Sequence, residues 1–355
     1  SGSDSNQPGS FHRVMTRVMQ TTELLKRTLP TTELTNARVV LGTNGVEISY
    51  AKWRAGRLNA VLDVPKSEGE VQVLWDASAT NVVQLTADWT AFNTSLKAQV
   101  VQEKAGWQLS GAAEWRTNEV TFHGQFPTNG WWPTSALLNT TNFCLPAHQL
   151  RVRGYDTLMA SVEVRVVPHR VQLDARGVAH PSDAFALSGF PTAEFELAAM
   201  GDTNGVTVKT LQVHAPGIHA ALTNSARISW CGKLGTNMAL FRVEANLADV
   251  PHAGMTGQIR GTARIESEGP RTSTLRFDLS ASRINAGKIE AQSIELVGEL
   301  SVPELMLDEL NARFDDGSTL RANGVLNLQT REVKRADWSF EGSYLNRFLK
   351  GVSFE

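Results

Sequence analysis

Few residues in this chain have the types and spacing that chemistry requires. His214 and His219 are five positions apart in the segment HAPGIH, so a turn between them would let the two imidazoles face each other. A metal ion would need further ligands nearby, and none stands at a metal-binding spacing. We interpret the two histidines as surface residues of a hairpin and predict no metal site.

Asp315 and Asp316 are adjacent carboxylates that could belong to a cation site or to a glycosidase pair. Both stand directly before Gly317, and Asp and Gly are typical turn residues. Adjacent side chains in a turn diverge, so we interpret the two aspartates as turn residues.

The motifs of the common enzyme classes are absent from the sequence. It contains no phosphate-binding G-x-x-x-x-G-K-[ST], no dinucleotide-binding G-x-G-x-x-G, no G-x-S-x-G nucleophile elbow and no H-E-x-x-H zinc motif. We therefore predict no catalytic residues, no cofactor and no enzymatic activity.

Composition sets wide limits on the protein class. The chain has 355 residues, of which 41% are hydrophobic, which excludes a mainly disordered protein. Its formal net charge of −2 argues against a dominant role in nucleic-acid binding. Cys144 and Cys231 are too few for a disulfide scaffold and could either form a bridge or remain two buried thiols.

Tryptophan is abundant, with nine residues, most of them in the first half of the chain. Aromatic side chains on strands can form a platform for sugars, and they also fit the core or rim of a sheet. Both interpretations remain open from the sequence.

A helix is predicted near the start of the chain. From Phe11 to Leu29, apolar residues recur at offsets of three and four, and Pro30 ends the pattern. The polar side carries Arg13, Arg17, Lys26 and Arg27. The helix could cap a core or cover a sheet edge, or it could lie on a membrane surface, because basic amphipathic helices bind anionic lipid.

After Pro30 the apolar period changes from 3.6 to 2, which is typical of strands with one buried face. Turn signals separate the alternating runs, and no helical run lies between them, so consecutive strands should pair in an antiparallel meander. These signals are Asn44-Gly45, Asn204-Gly205, Asn285-Ala286-Gly287 and Asp316-Gly317.

The alternation changes phase between Ile289–Ala291 and Ile294–Leu296. A phase change in a period-2 pattern indicates a bulge or bend, which is how a long sheet curls. We predict a mainly β fold, with a long meandering antiparallel sheet curled into a groove or taco and one N-terminal amphipathic helix.

Five segments follow from these patterns. Residues 1–10 are polar and read as a cloning remnant or flexible lead-in, with the natural protein continuing upstream. Residues 11–30 form the helix and 31–130 a first β segment. Residues 131–146 (WWPTSALLNTTNFCLP) are predicted to be a connection with one helical turn over Pro133–Leu138, and 147–355 form a second β segment.

Two stretches resemble AsmA-like and TamB-like proteins. In Leu25–Ser49, an amphipathic helix and a proline precede LTNARVVL, similar to the opening of an AsmA-like domain. In Leu305–Phe340, a strand ending in an Asp/Gly turn precedes l-x-a-x-G-x-l-x-l, similar to the repeated units of both families. The residues at those places are Asp316, Gly317, Leu320, Ala322, Gly324, Leu326 and Leu328. The tryptophan-rich first half, with its WWP segment, departs from the family pattern.

The resemblance implies a periplasmic protein of the diderm cell envelope, anchored to the inner membrane through a missing upstream segment. It also implies that phospholipid or other acyl-chain lipid is the partner, alongside possible envelope proteins. The function would be to aid phospholipid transport between the inner and outer membranes, or outer-membrane assembly. No window of the chain reaches 18 uninterrupted apolar residues, and there is no signal peptide.

The candidate groove-lining residues are Leu305, Leu307, Leu320, Ala322, Leu326 and Leu328. An acyl chain would gain about 0.8 kcal/mol per buried CH₂ along such a surface. The alternative function is a non-catalytic envelope scaffold or a carbohydrate-binding β-module.

Overall fold

The computed structural model describes residues 11–29, 31–41, 44–63, 69–146, 155–183, 191–230, 238–250, 254–269, 272–287, 289–301, 304–327, 329–330 and 332–343. It confirms the mainly β prediction: 74% of the residues lie in strands, which pair in one long antiparallel sheet that follows an N-terminal helix. No helix among these residues is long and apolar enough to cross a membrane. Leu328, Cys231 and residues 1–10 lie outside the described residues.

The chain divides into two compact units. Unit 1 comprises Ser1–Cys144 and Met159–Leu173, and unit 2 comprises Leu145–Leu158 and Asp174–Glu355. The first elements are helix α1 (Phe11–Thr28) and strands β1 (Thr31–Leu41), β2 (Asn44–Arg54), β3 (Arg57–Asp63), β4 (Glu70–Asp76), β5 (Val82–Trp89), β6 (Thr94–Glu103), β7 (Gly106–Trp115), β8 (Asn118–Pro127) and β9 (Ser135–Pro146). A 3₁₀ turn at Thr90–Phe92 joins β5 to β6.

The later strands are β10 (Tyr155–Val167), β11 (Arg170–Pro181), β12 (Ala193–Asp202), β13 (Gly205–Ala215), β14 (Ile218–Leu222), β15 (Ala226–Ser229), β16 (Ala239–Asn246), β17 (Thr256–Gly269), β18 (Thr272–Ala286), β19 (Ile289–Ser301), β20 (Glu304–Phe314), β21 (Thr319–Asn327) and β22 (Glu332–Glu341). Most strands pair with their neighbours along the chain, as the short turns between them predict. The exception is β13, which pairs with β15 over its first half and with β14 over its second half, and β14 then pairs with β16.

The predicted helix is confirmed, and it lies across the strand ends of unit 1. At its start, the Phe11 N–H donates to the Gly130 carbonyl (3.1 Å) in the β8–β9 loop. Just after its end, Trp53 Nε1, near the end of β2, donates to the Leu29 carbonyl (2.8 Å). An 18-residue helix is about 27 Å long, close to the roughly 24 Å covered by five strand spacings from β3 to β8.

The apolar stripe of α1 completes the core of unit 1. Met15 and Met19 are buried against Ala77, Val83 and Trp107, and Trp107 Nε1 donates to His12 Nδ1 (2.9 Å). Phe11 stacks on Phe126 with ring centroids 4.2 Å apart. The interpretation of α1 as a cap on a core is therefore confirmed.

The turn between β4 and β5 supports the C-terminal half of α1. Lys26 Nζ donates to the Ser78 carbonyl (3.4 Å) in this turn. Hydrogen bonds from Ser78, one of them from its backbone N–H at 2.9 Å, and the adjacent Arg57 guanidinium hold the pKa of Asp76 below its ordinary value. The ionised carboxylate therefore fixes the turn on which the helix rests.

Two local predictions were wrong. Residues 135–146 were expected in a connection with a helical turn, but Ser135–Pro146 forms β9, which pairs with β8 through residues such as Leu138 and Phe122. Asn44 and Gly45 were expected at a turn, but both already belong to β2 and pair with Leu41 and Val40. The predicted pairing of the flanking strands, β1 and β2, is confirmed.

Replacing Met19 with alanine should lower the free energy of unfolding of unit 1 by about 2–3 kcal/mol, because it leaves a cavity between α1 and the sheet. Met19 is only 8% exposed. Urea unfolding followed by tryptophan fluorescence measures the change, since Trp107 lies in the same cluster.

Val14, which is 42% exposed on the same helix, provides the control. Val14→Ala should change the stability by less than about 0.5 kcal/mol. Equal effects from the two variants would contradict the packing of α1 on the sheet.

Candidate functional site

One face of the sheet in unit 2 consists of apolar residues that pair with one another across neighbouring strands. Directly opposed residues in antiparallel strands share a face, so the pairing defines continuous rows across the strands. The central row runs through ten strands: Phe195, Val213, Ala220, Val243, Gly261, Leu279, Leu296, Leu310, Ala322 and Trp338. Every member is apolar or glycine.

Two neighbouring rows repeat this composition. One contains Leu222, Phe241, Ala263, Phe277, Gly298, Leu307, Gly324 and Ala336. The next contains Ala239, Ile265, Leu275, Leu300, Leu305, Leu326 and Val333. We refer to these three rows together as the apolar face of unit 2.

The opposite side of the same strands is polar. The row displaced by one residue from the central row contains Glu194, His214, His219, Glu244, Arg260, Ser280, Glu295, Asn311, Arg321 and Ser339. Because successive side chains of a strand point to opposite faces, one side of the sheet is polar and charged and the other is apolar. The sheet of unit 2 is amphipathic over at least ten strands of the described residues.

Five of the six candidate residues from the sequence lie on or beside this face. Leu305, Leu307, Ala322 and Leu326 belong to its three rows, and Leu320 stands two residues before Ala322 on β21, on the same side. All five are half-buried. Leu328, the sixth, lies outside the described residues.

Bulges keep the apolar residues on one side where the sequence changes phase. The register of β20 shifts between Leu307 and Leu310, so both leucines face the same way although they are three residues apart. A second shift between Ala291 and Ser293 in β19 confirms the bulge predicted from the change of phase there. Because of these bulges, the rows stay continuous.

The side chains of the apolar face are mostly half-buried. Leu279 and Leu296 in the middle of the central row are of this kind, and Trp338 at the last strand is 66% exposed. Leucines in a sealed sandwich core would be almost fully buried. Apolar surface at these positions therefore remains accessible to a ligand.

One end of the apolar face of unit 2 is closed by side-chain packing. Ile284, Ala291, Ala312 and Phe314 form a buried cluster against partly buried neighbours that include Leu247, Leu310, Leu320 and Phe340. Leu247 follows β16, and its N–H donates to the Gly257 carbonyl (2.9 Å). At this end of the strands, next to the hairpin turns, the cluster therefore forms a conventional hydrophobic core.

The residues missed from the sequence lie in the middle strands. Leu275, Phe277 and Leu279 of β18 alternate with Arg276 and Asp278, which is the same signal that identified β20 and β21. The resemblance to AsmA-like and TamB-like units covers Leu305–Phe340, and β18 lies before this stretch. The periodicity alone would have found β18.

The polar constellations lie away from the apolar face. His214 and His219 are a cross-strand pair in the β13–β14 hairpin, with ring centroids 6.0 Å apart, as interpreted from the sequence. Asp315 and Asp316 lie in the β20–β21 turn, where Asp316 Oδ1 accepts from the Ser318 N–H (2.9 Å). Within the described residues, no group of three or more His, Cys, Asp and Glu side chains could hold a metal ion.

A cleft on the polar side of unit 2 is lined by charged side chains that form ion pairs with neighbouring residues. It has a volume of about 530 Å³ and is lined by residues that include Arg264, Arg276 and Asp278. Arg276 Nε lies 3.0 Å from Glu299 Oε2, and the hydrogen bond to Glu299 raises the pKa of the guanidinium. Arg264 Nε lies 3.7 Å from Glu266 Oε1, so both arginines are paired with carboxylates of the same surface.

The tryptophans of unit 1 are dispersed over core and rim. Trp107 is buried, while Trp131 and Trp132 are about half exposed, at 52% and 53%. Trp89 packs on Phe92 with centroids 4.5 Å apart.

Cys144 is half-buried and has a free thiol. Its backbone N–H donates to Asn118 Oδ1, and its carbonyl accepts from Asn118 Nδ2.

No protein-family model, curated protein or solved structure matches this chain. The resemblance to AsmA-like and TamB-like proteins therefore stays a prediction. A functional proposal has to depend on the apolar face itself.

Gly298→Ala should destabilise unit 2 by about 1–3 kcal/mol, the usual cost of overpacking. A Cβ at this position would lie 2.5 Å from the Met306 carbonyl oxygen and 2.8 Å from Phe277 Cζ. Thermal unfolding by circular dichroism measures the loss. Ser293→Ala, at an exposed site on the same strand, should leave the transition unchanged; a similar loss from both would show that the close packing at Gly298 is unimportant.

Proposed function

We propose that the apolar face of unit 2 binds the acyl chains of lipids. The observation that carries the proposal is the central row, which crosses ten strands without a polar residue and keeps its leucines half-buried. Monomeric soluble proteins rarely expose continuous apolar surface on this scale unless something binds to it.

An acyl chain suits such a surface because both are long, narrow and apolar. Full burial of a sixteen-carbon chain, with about 14 CH₂ groups, would contribute about 11 kcal/mol at roughly 0.8 kcal/mol per group. A half-covered chain would gain about half of this, which corresponds to a dissociation constant near 100 μM. Binding of this strength holds a lipid and still lets it leave.

The face offers few groups that could recognise a headgroup. Its rows contain aliphatic, aromatic and glycine residues, so contacts to a chain are non-directional and change little as the chain moves along the rows. Affinity should therefore depend on chain length more than on headgroup. Together with the family resemblance, this supports a wider proposal: a periplasmic envelope protein that helps move phospholipid between inner and outer membranes.

Leu296→Lys should reduce the affinity for a fluorescent phospholipid at least fivefold, because it places a charge in the middle of the central row. Val297→Lys is the matched control, since Val297 is the next residue and lies on the polar side, paired with Asp278 and Glu309. Titration of the labelled lipid measures both variants. Circular dichroism checks that both remain folded.

Native mass spectrometry of the wild-type protein from a bacterial host should show a bound acyl-chain lipid. A photo-crosslinking residue at Leu279 should capture that lipid, and one at Ser280, on the polar side, should not. Absence of any co-purified or saturably bound lipid would refute the proposal, as would equal losses from the two lysine variants. In that event the face would fit a scaffold that binds another protein.

A further inference from the structure

The outward side of α1 is basic. Arg13, Arg17 and Arg27 are exposed on the side opposite Met15 and Met19. The helix carries four basic residues and a single acidic one, Glu23, which pairs with Lys26 at 2.6 Å. In a chain with a formal net charge of −2, positive charge is thus concentrated on this surface.

Apolar side chains stand among these charges. Val14 and Leu24 are 42% and 60% exposed on the same helix, and Leu29, which follows it, is 42% exposed. They are separate from the apolar stripe of α1 that packs on the core. The outward surface therefore combines cations with accessible apolar groups, which is the composition of a helix that lies in a membrane interface.

Two exposed tryptophans lie beside the start of the helix. Trp131 packs edge-on against Phe11, with centroids 6.3 Å apart, and the Phe11 N–H bonds Gly130 in the same loop. Trp132 is the next residue and is 53% exposed. Tryptophan prefers the boundary between lipid headgroups and acyl chains, because its indole is apolar and its N–H is polar.

We propose that this end of unit 1, formed by α1 and residues 128–134 and here termed the helix cap, docks on an anionic bilayer surface. The arginines match the negative headgroups, and the tryptophans and exposed aliphatic side chains enter the interface. A basic surface alone would fit any polyanion, and the exposed Trp131 and Trp132 favour a bilayer. The proposal does not depend on acyl-chain binding by unit 2.

Vesicle sedimentation tests the proposal with the whole chain. The protein should bind vesicles of phosphatidylglycerol and phosphatidylcholine, and bind vesicles of phosphatidylcholine alone much more weakly. Arg17→Gln with Arg27→Gln should weaken binding to anionic vesicles about 25-fold at low salt, at roughly fivefold for each lost charge near the surface. Added salt should also weaken the binding of the wild-type protein to anionic vesicles.

The matched control removes equal charge elsewhere. Arg313 and Arg321 are exposed on the polar side of unit 2, and changing both to glutamine should leave vesicle binding unchanged. Trp132→Ser should weaken binding at least threefold, and Trp230→Ser, at a tryptophan 66% exposed in unit 2, should not. Trp132 is used alone so that the contact between Trp131 and Phe11 remains.

Several outcomes would overturn the proposal. These are failure of the wild-type protein to bind anionic vesicles, equal binding to both vesicle types, and equal losses from the cap and control variants. Binding to a labelled DNA duplex without binding to vesicles would assign the basic surface to another polyanion. Leu296→Lys should bind vesicles like the wild type, so failure of the acyl-chain proposal would be distinguishable from failure of this one.

Discussion

The structure of unit 2 depends on one constraint, the register between consecutive antiparallel strands. Because side chains alternate between faces, a shift of one residue would move every leucine of a strand to the charged side. The pairing of Leu279 with Leu296 and of Leu296 with Leu310 shows that this does not happen. Backbone hydrogen bonds hold the rows together, and the rows in turn make only one register favourable.

Bulges are part of this constraint. In β13 the apolar residues Val206 and Val208 precede Leu211 and Val213, and the register against β12 shifts between Ala198 and Ala199. The extra residue restores the apolar side chains to one face and increases the local twist of the strand. A long sheet can therefore bend without breaking the apolar rows.

Much of this was accessible from the sequence because alternation is a local signal. The helix, the meander and the bulge after Ala291 follow from periods of 3.6 and 2 and from changes of phase. β9 was missed because Pro133 and the run TTN obscure its alternation, whereas the cross-strand partners that stabilise it, such as Phe122 for Leu138, lie elsewhere in the chain. The turn at Asn44-Gly45 was misplaced because pairing fixes a turn more strongly than its residue types do.

The candidate site was harder to predict, because exposure is a property of packing. Leu296 and Met19 are both apolar residues in a regular period, and nothing in the sequence distinguishes them. The structure does: Met19 is buried against Trp107, whereas Leu296 stays half-buried in a row that crosses ten strands. In unit 1, α1 covers strand ends with its apolar stripe, and the large buried side chains lie under it. In unit 2 the buried cluster around Ile284 closes one end of the face. The remaining leucines have apolar neighbours within their own sheet and accessible surface above it. A sheet with this property is stabilised further by any long apolar molecule that covers it, because each buried CH₂ adds to the same driving force that set its register.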